Sequence, residues 1–271
     1  MTTDTHARPA GFEEPLVSAM LDAALSLAQP TPIFAIAGLQ GSGKSTLAAQ
    51  IAALAGTRGH LVAVLSIDDF YLRKDQRLQL AREVHPLLAT RGPPGTHDLG
   101  LALETIGSLR DGQPTRLPRF DKLADDREPT ARWPAVEQRC DLVLLEGWFL
   151  KTPPQNPDEL VQPTNALERD EDPDGNWRRW CNAALANDYP RLWQTIDALW
   201  FLQGPDFDVV PDWRWQQEQS LQASEPRRGA MSRAQVERFV QLFERVSRQA
   251  LRTLPAIADR TISLDELRRP L

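Results

Sequence analysis

The 271-residue sequence predicts an α/β fold in one domain, with a mostly parallel central sheet flanked by helices on both faces. Three observations predict it. Short, wholly apolar runs recur along the chain, as fully buried strands require. Segments with helical spacing of apolar residues lie between those runs. A glycine-rich turn joins the first run directly to a helix, as in a strand–loop–helix unit.

The elements follow in order. Residues 12–31 open with a leading helix, apolar at helical spacing over 12–28. "PIFAIAG" (32–38) reads as a buried strand, and "STLAAQIAALAGTRG" (45–59) as a helix ended by glycine. "LVAVLSIDD" (61–69) reads as a second strand, and "DLGLALETIGSLRDG" (98–112) as a helix capped by Asp98 and stopped near Gly112. Residues 113–134 carry four prolines and many charges and read as a loop excursion. "DLVLLEGW" (141–148), "DALWFLQG" (197–204) and "RTISL" (260–264) complete the strands. Residues 151–176 are proline-rich and acidic, and the stretch 151–190 reads as an irregular insertion. Within it, Trp177 and Trp180 have the spacing of a packing face, while Arg178 either braces that face or approaches the site. Two helical segments between 206 and 254 are separated by "EPRRGAMS" (225–232).

Composition narrows the function classes. A net charge of −6 lacks the basic footprint of a nucleic-acid or membrane-surface binder. No apolar run reaches the length of a membrane span, and the first residues lack the pattern of a secretory signal. Two cysteines without metal-type spacing point to a reduced, cytoplasmic protein rather than a disulfide or zinc scaffold.

"GLQGSGKST" (38–46) fits the phosphate-binding pattern G-x-x-x-x-G-K-[ST], with a strand before it and a helix after. Its glycines let backbone N–H groups converge on phosphate oxygens beside a helix N-terminus. The cradle is expected to comprise Gly38, Gly41, Ser42, Gly43, Lys44, Ser45 and Thr46. Lys44 should reach the β- and γ-phosphates of ATP and the Ser45 hydroxyl should ligate Mg²⁺.

Ligands of open α/β sheets lie beyond the carboxyl ends of the strands. Asp68 and Asp69 in "SIDDFYL" and Glu146 in "LLEGWF" stand at such ends. Glu146 suits the metal side, and Asp68 suits a base that takes a proton from an attacking hydroxyl. Asp69 reads as a helix cap, and Phe70 and Tyr71 as core or as a wall of the acceptor pocket.

In "RGPPGTHDLG" (91–100), prolines stiffen a lip that delivers His97 and Asp98. A hydroxy acid needs acceptors for its hydroxyls and a cation for its carboxylate. Asp98 can supply the first while also capping the following helix; Arg91, Arg119, Lys122 or Arg127 can supply the second. His97 either bonds a hydroxyl or braces the loop.

Taken in order, "GLQGSGKST", "SIDDFYL", "RGPPGTHDLGLALETI", "LPRFDK…DR", "LLEGWFL" and "WRWQQEQSL…GAMSRAQVERFV" resemble the plant-type D-glycerate 3-kinases over roughly residues 33–264. These form a branch of the P-loop kinases that includes uridine kinase and pantothenate kinase. The resemblance implies a P-loop kinase fold with a helical lid (206–235), ATP and Mg²⁺ as cofactors, and a small hydroxy-acid or polyol substrate. The reaction it implies is D-glycerate to 3-phosphoglycerate. It implies catalytic roles for Lys44, Asp68 and the lid residue Arg214, and a metal-side role for Glu146. Tyr71, His97, Asp98, Arg119, Asp121 and Arg127 are expected near the acceptor, and Arg227 or Arg228 in the lid. Other acceptors (a nucleoside, pantothenate or a sugar acid) and a regulatory ATPase are the alternatives.

Overall fold

The computed structural model describes residues 11–224 and 231–271. Helix α1 (Glu14–Leu25) leads into β1 (Ile33–Gly38), α2 (Lys44–Thr57) and β2 (Val62–Ser66). Helices α3 (Lys74–Glu83) and α4 (Leu99–Arg110) follow. Four two-residue strands come next: β3 (Thr115–Arg116), β4 (Phe120–Asp121), β5 (Asp126–Arg127) and β6 (Ala135–Val136). Then come β7 (Leu142–Gly147), α5 (Ala166–Glu171), α6 (Asn176–Asn187), α7 (Pro190–Trp193) and β8 (Ala198–Gln203). Helices α8 (Val210–Ser224) and α9 (Arg233–Thr253) precede β9 (Arg260–Ser263).

The main sheet runs β2-β7-β1-β8-β9, and every pairing is parallel. Its faces sort the apolar runs by the two-residue period of a strand. Phe34 and Ile36 meet α1 and α2 on one side, through Met20, Leu21, Leu47 and Ile51. Ile33, Ala35 and Ala37 face the other side, against α4, α6 and α9 through Ile106, Leu185 and Val246. Each large aliphatic side chain so buried contributes about 1.5–3 kcal/mol. A third, smaller cluster joins Leu39 to Trp213 of α8 and Val240 of α9. No helix among the described residues is long and apolar enough to cross a membrane.

Two details position the site. β2 stops earlier than its apolar run: Ser66 Oγ accepts from the Asp68 N–H, and Ile67–Phe70 tightens into a 3-10 turn. That turn lifts Asp68 and Asp69 out of the sheet. Residues 113–134 fold back as small ribbons, β3 against β6, while β4 and β5 pair across a turn at 121–126.

The stretch 151–190 is more regular than its prolines suggest. Asn165 caps α5 through the Glu168 N–H, and Asp172 accepts from the N–H groups of Trp177 and Arg178 at the start of α6. Its charges are buried as pairs, Arg178 with Asp172 at 3.0 Å and Arg245 of α9 with Glu168 at 2.5 Å. Arg178 therefore braces the insertion and takes no part in the site.

Candidate active site

β1 ends at Gly38 and α2 begins at Lys44, so the intervening turn must reverse the chain within five residues. Gly43 does this at φ 97°, a conformation open to glycine and costly for side-chain residues. No side chain caps α2, and its first-turn N–H groups open toward a pocket suited to an anion. Gly41, Gly43, Lys44, Ser45 and Thr46 line that pocket of about 80 Å³, closed from above by Gln217 of α8. Ser42 is buried beneath it, its N–H donating to the Leu39 carbonyl.

Lys44 Nζ donates to the Leu39 carbonyl at 3.0 Å. Burial lowers its pKa, while Glu146 and Asp68 pull the other way and favour the ammonium. Since β7 lies between β1 and β2, Glu146 stands level with Ile36 and Ser66. There Ser45 Oγ donates to Glu146 Oε1 at 2.8 Å. Among the described residues, no group of three or more His, Cys, Asp or Glu gathers to hold a metal. One hydroxyl and one carboxylate beside a phosphate pocket match the sparse donor set of Mg²⁺, which keeps waters and takes phosphate oxygens.

Helix α8, within the span expected to form a lid, is tied to this turn. A Cβ on Gly41 would come within 2.8 Å of Trp213 Cβ, so α8 rests directly on the phosphate loop. Trp213 Nε1 donates to the Glu266 carbonyl at 2.7 Å, and Arg268 Nε donates to the Gly41 carbonyl at 2.6 Å. The Arg268 guanidinium also covers the Trp213 ring at 4.9 Å. Next to Trp213, Arg214 bonds Gln217 and Glu218 and lies 5.9 Å over Phe239.

The phosphate loop opens into a cavity of about 290 Å³ walled by Lys44, Ser45, Glu146 and Arg214 on one side and by Asp68, Tyr71, Arg91 and Lys122 on the other. Asp68 is held from two sides: Tyr71 OH donates to Oδ1 and Lys122 Nζ to Oδ2, each at 2.7 Å. Burial alone would raise its pKa, but the Lys122 charge and both hydrogen bonds outweigh it and keep Asp68 well below the carboxylate range. Its neighbour shifts the opposite way. Burial pushes Asp69 up to about 6, against Arg119 and the Phe120 N–H, both of which it binds. Asp69 thus anchors β4 and caps no helix.

The other residues expected at the acceptor stand outside the cavity wall. Asp98 Oδ1 accepts from the Leu101 N–H as an N-cap, and Oδ2 pairs with Arg127 Nη2 at 2.9 Å. The same Arg127 nitrogen holds the Tyr71 carbonyl at 2.9 Å. Residues 96–98 also zip onto 70–72, with Leu72 N–H donating to Thr96 O and Asp98 N–H to Phe70 O. Asp98 and Arg127 therefore set the backbone that carries Tyr71. Arg119 is committed to Asp69, and Asp121 caps its own turn through the Leu123 and Ala124 N–H groups.

His97 is a brace. Tyr189 OH accepts from the Gly95 N–H and shares a second hydrogen bond with His97 Nδ1 at 2.7 Å. Burial pushes this histidine down to about 3, opposed by Asp68, and the ring stays neutral. The loop needs its glycines for packing too: a Cβ on Gly95 would fall 2.0 Å from Trp180. Of the cations expected in a lid, Arg214 reaches the cavity, while Arg227 and Arg228 lie outside the described residues. Gln40, Gln217, Phe239 and Phe243 line the cavity without having been expected there. Phe239 and Phe243 share a face of α9 and look in the sequence like ordinary core.

Residues 33–152 match the Phosphoribulokinase / Uridine kinase family. The chain is 32% identical over 209 residues to the uncharacterized kinase mug58 of Schizosaccharomyces pombe, covering 72% of this chain and 74% of that one. It is 30% identical over 261 residues to the chloroplastic D-glycerate 3-kinase of Arabidopsis thaliana, covering 89% of this chain and 54%, about half, of the plant protein. Among solved structures, a D-glycerate 3-kinase from Cryptococcus neoformans superposes with a TM-score of 0.76 at 25% identity, over 95% of each chain. A phosphate loop, helix α8 and a strand-end carboxylate around one cavity agree with those likenesses, and the chain belongs to the phosphoribulokinase/uridine kinase family as a D-glycerate 3-kinase-like, ATP-dependent phosphotransferase.

Proposed function

We propose that this enzyme transfers the γ-phosphoryl group of ATP to a hydroxyl of a small polar acid, D-glycerate, giving 3-phosphoglycerate. The carrying observation is the single cavity in which Lys44 and Arg214 face Asp68, Tyr71, Arg91 and Lys122. A phosphate-binding half and an acceptor half with surplus positive charge suit an anionic alcohol. The likeness to two D-glycerate 3-kinases supports the same substrate.

Each side chain has a task in this reading. The N–H groups of residues 41–46 and Lys44 cradle the phosphates and orient the terminal one toward the cavity. Ser45 and Glu146 would hold Mg²⁺, which supplies neutralisation of phosphate charge. Arg214 offsets the negative charge spread over the transferring oxygens once α8 excludes water. Asp68 is ionised and takes the hydroxyl proton. Proton loss runs late in a loose phosphoryl-transfer transition state, so a carboxylate of low basicity suffices. Tyr71 orients Asp68, and Asp98 and Arg127 hold Tyr71 in place. Cys140 and Cys181 are free and buried, consistent with a cytoplasmic, reducing setting.

The test is a phosphotransfer assay with ATP, Mg²⁺ and a panel containing D-glycerate, pantothenate and nucleosides, with the product identified. D-glycerate should turn over best, and Asp68→Asn should lower kcat by about 10²–10⁴-fold. Turnover restricted to a nucleoside would reject the acid. ATP consumption indifferent to any acceptor would reject the transferase.

A further inference from the structure

Asp68 is engaged at both oxygens before any acceptor arrives, by Tyr71 at Oδ1 and by Lys122 at Oδ2. An ammonium at 2.7 Å favours the bare carboxylate and opposes the protonation that a base must undergo. Asp68 still faces the cavity, but in this state neither of its oxygens is free of a protein partner.

We propose that Lys122 is the residue that senses the acceptor's carboxylate, covering Asp68 until an acidic acceptor draws its ammonium away. This rests on the reading of the site as a hydroxy-acid kinase.

The construction around Lys122 fits a pivot. Its backbone is pinned: Arg91 Nη2 holds the Lys122 carbonyl at 3.3 Å, Arg91 Nη1 is paired with Asp125, and Asp121 ties the turn through two N–H groups. Its side chain is 56% exposed, against 20% for Arg91 and 14% for Arg214. It is therefore the cation of the acceptor half with the least packing to lose on moving. A lysine also suits the task, because a compact charge on four flexible carbons can change partner where a paired arginine fork is held by its geometry. Arg91 is committed to Asp125, and Arg119 and Arg127 are committed to Asp69 and Asp98.

The exchange conserves charge. An incoming carboxylate replaces Asp68 as the partner of Lys122, and Oδ2 is freed toward the acceptor's hydroxyl. As the hydroxyl oxygen bonds to the γ-phosphorus, its proton passes to Asp68. The bond from that phosphorus to the bridging oxygen breaks, with the electron pair leaving on ADP. Asp68 later returns the proton to water. A neutral polyol such as glycerol offers no replacement anion, and Lys122 stays on Asp68.

The experiment compares wild type, Lys122→Met and Lys122→Arg with D-glycerate and with glycerol, and follows ATP hydrolysis without acceptor. Wild type should prefer D-glycerate. Lys122→Met should raise its KM on the order of 10- to 100-fold, shrink the preference over glycerol by a similar factor and increase acceptor-free hydrolysis. Lys122→Arg should keep most of the preference and melt like wild type, and Lys122→Met should stay folded while melting lower, because it leaves Asp68 without its cation. An unchanged KM and preference in Lys122→Met would overturn the inference. So would an equal loss for both acceptors with the preference intact, which marks a merely structural role. Failure of the wild type with every acid would instead remove the hydroxy-acid reading, and this inference with it.

Discussion

On the phosphate side of the cavity, adjacent backbone positions from Gly38 to Thr46 make nearly everything, with Glu146 brought in by one strand pairing. On the acceptor side, Asp68 meets a lysine 54 residues away, and Tyr71 is held by an arginine 56 residues away. One half is a local turn whose groups point outward at a ligand. The other is a set of side chains that satisfy one another across loops. A local turn can be ready for its ligand at little cost, because its N–H groups are unclaimed by the helix itself. Paired side chains must exchange partners, which makes the acceptor half selective.

Substitutions can break or sharpen this contrast. The largest effect belongs to the phosphate side: Lys44→Ala should lower phosphotransfer on the order of 10³-fold or more while leaving the fold intact, as a kcat assay beside a melting curve would show. Acceptor-side support should cost less and divide in two. Asp98→Ala loses the cap of α4 and the hold on Arg127, so it should lose about 1 kcal/mol of stability and raise acceptor KM about 3- to 10-fold. Asp98→Asn keeps a capping oxygen and should show the KM change with little change in melting temperature. If neither variant moves KM, Asp98 is a cap alone and the Arg127–Tyr71 tie is idle.

The last contrast is between two adjacent carboxylates, and it touches stability rather than turnover. Burial raises Asp69 to about 6 from an ordinary 3.8, so the folded state binds more protons there than the unfolded chain. Stability from this group is present below about 3.8 and is lost as pH rises through 6. Asp69→Asn should remove that slope, gaining about 1–3 kcal/mol relative to wild type at pH 7 and little at pH 4, read as melting temperature across pH. Asp68 is lowered, so its contribution runs the other way, present above the ordinary carboxylate pKa and lost in acid.

The same contrast explains what could be read from sequence. The strands of the main sheet, helices α1, α2, α4, α8 and α9, and the phosphate loop follow from contiguous patterns near their expected spans, whereas α3 (Lys74–Glu83) was not anticipated. Tyr71 and Asp68 reach the cavity because they follow a strand directly. His97, Asp98, Arg119, Asp121 and Arg127 are charged or polar residues in the right neighbourhood, yet each is taken up by a partner that is close in space and mostly distant in sequence. Motif position shows that such a residue is near a site but not which way it faces. Arg91 and Lys122 have the same chemistry and do line the cavity, and only the fold of the 121–126 turn separates the two groups. The regular helices within 151–190 were hidden for a related reason, since the acidic residues that suggest a solvated loop are buried opposite arginines.

The grip of Arg268 on Gly41, with Trp213 of α8 packed on that glycine, joins three remote parts of the chain. A displacement of α8 that left the 264–270 turn in place would part Trp213 from Glu266, and one that carried the turn along would part Arg268 from Gly41. The carboxyl-terminal turn thus holds the phosphate loop with one side chain and α8 with a backbone carbonyl, so a substitution there reaches both.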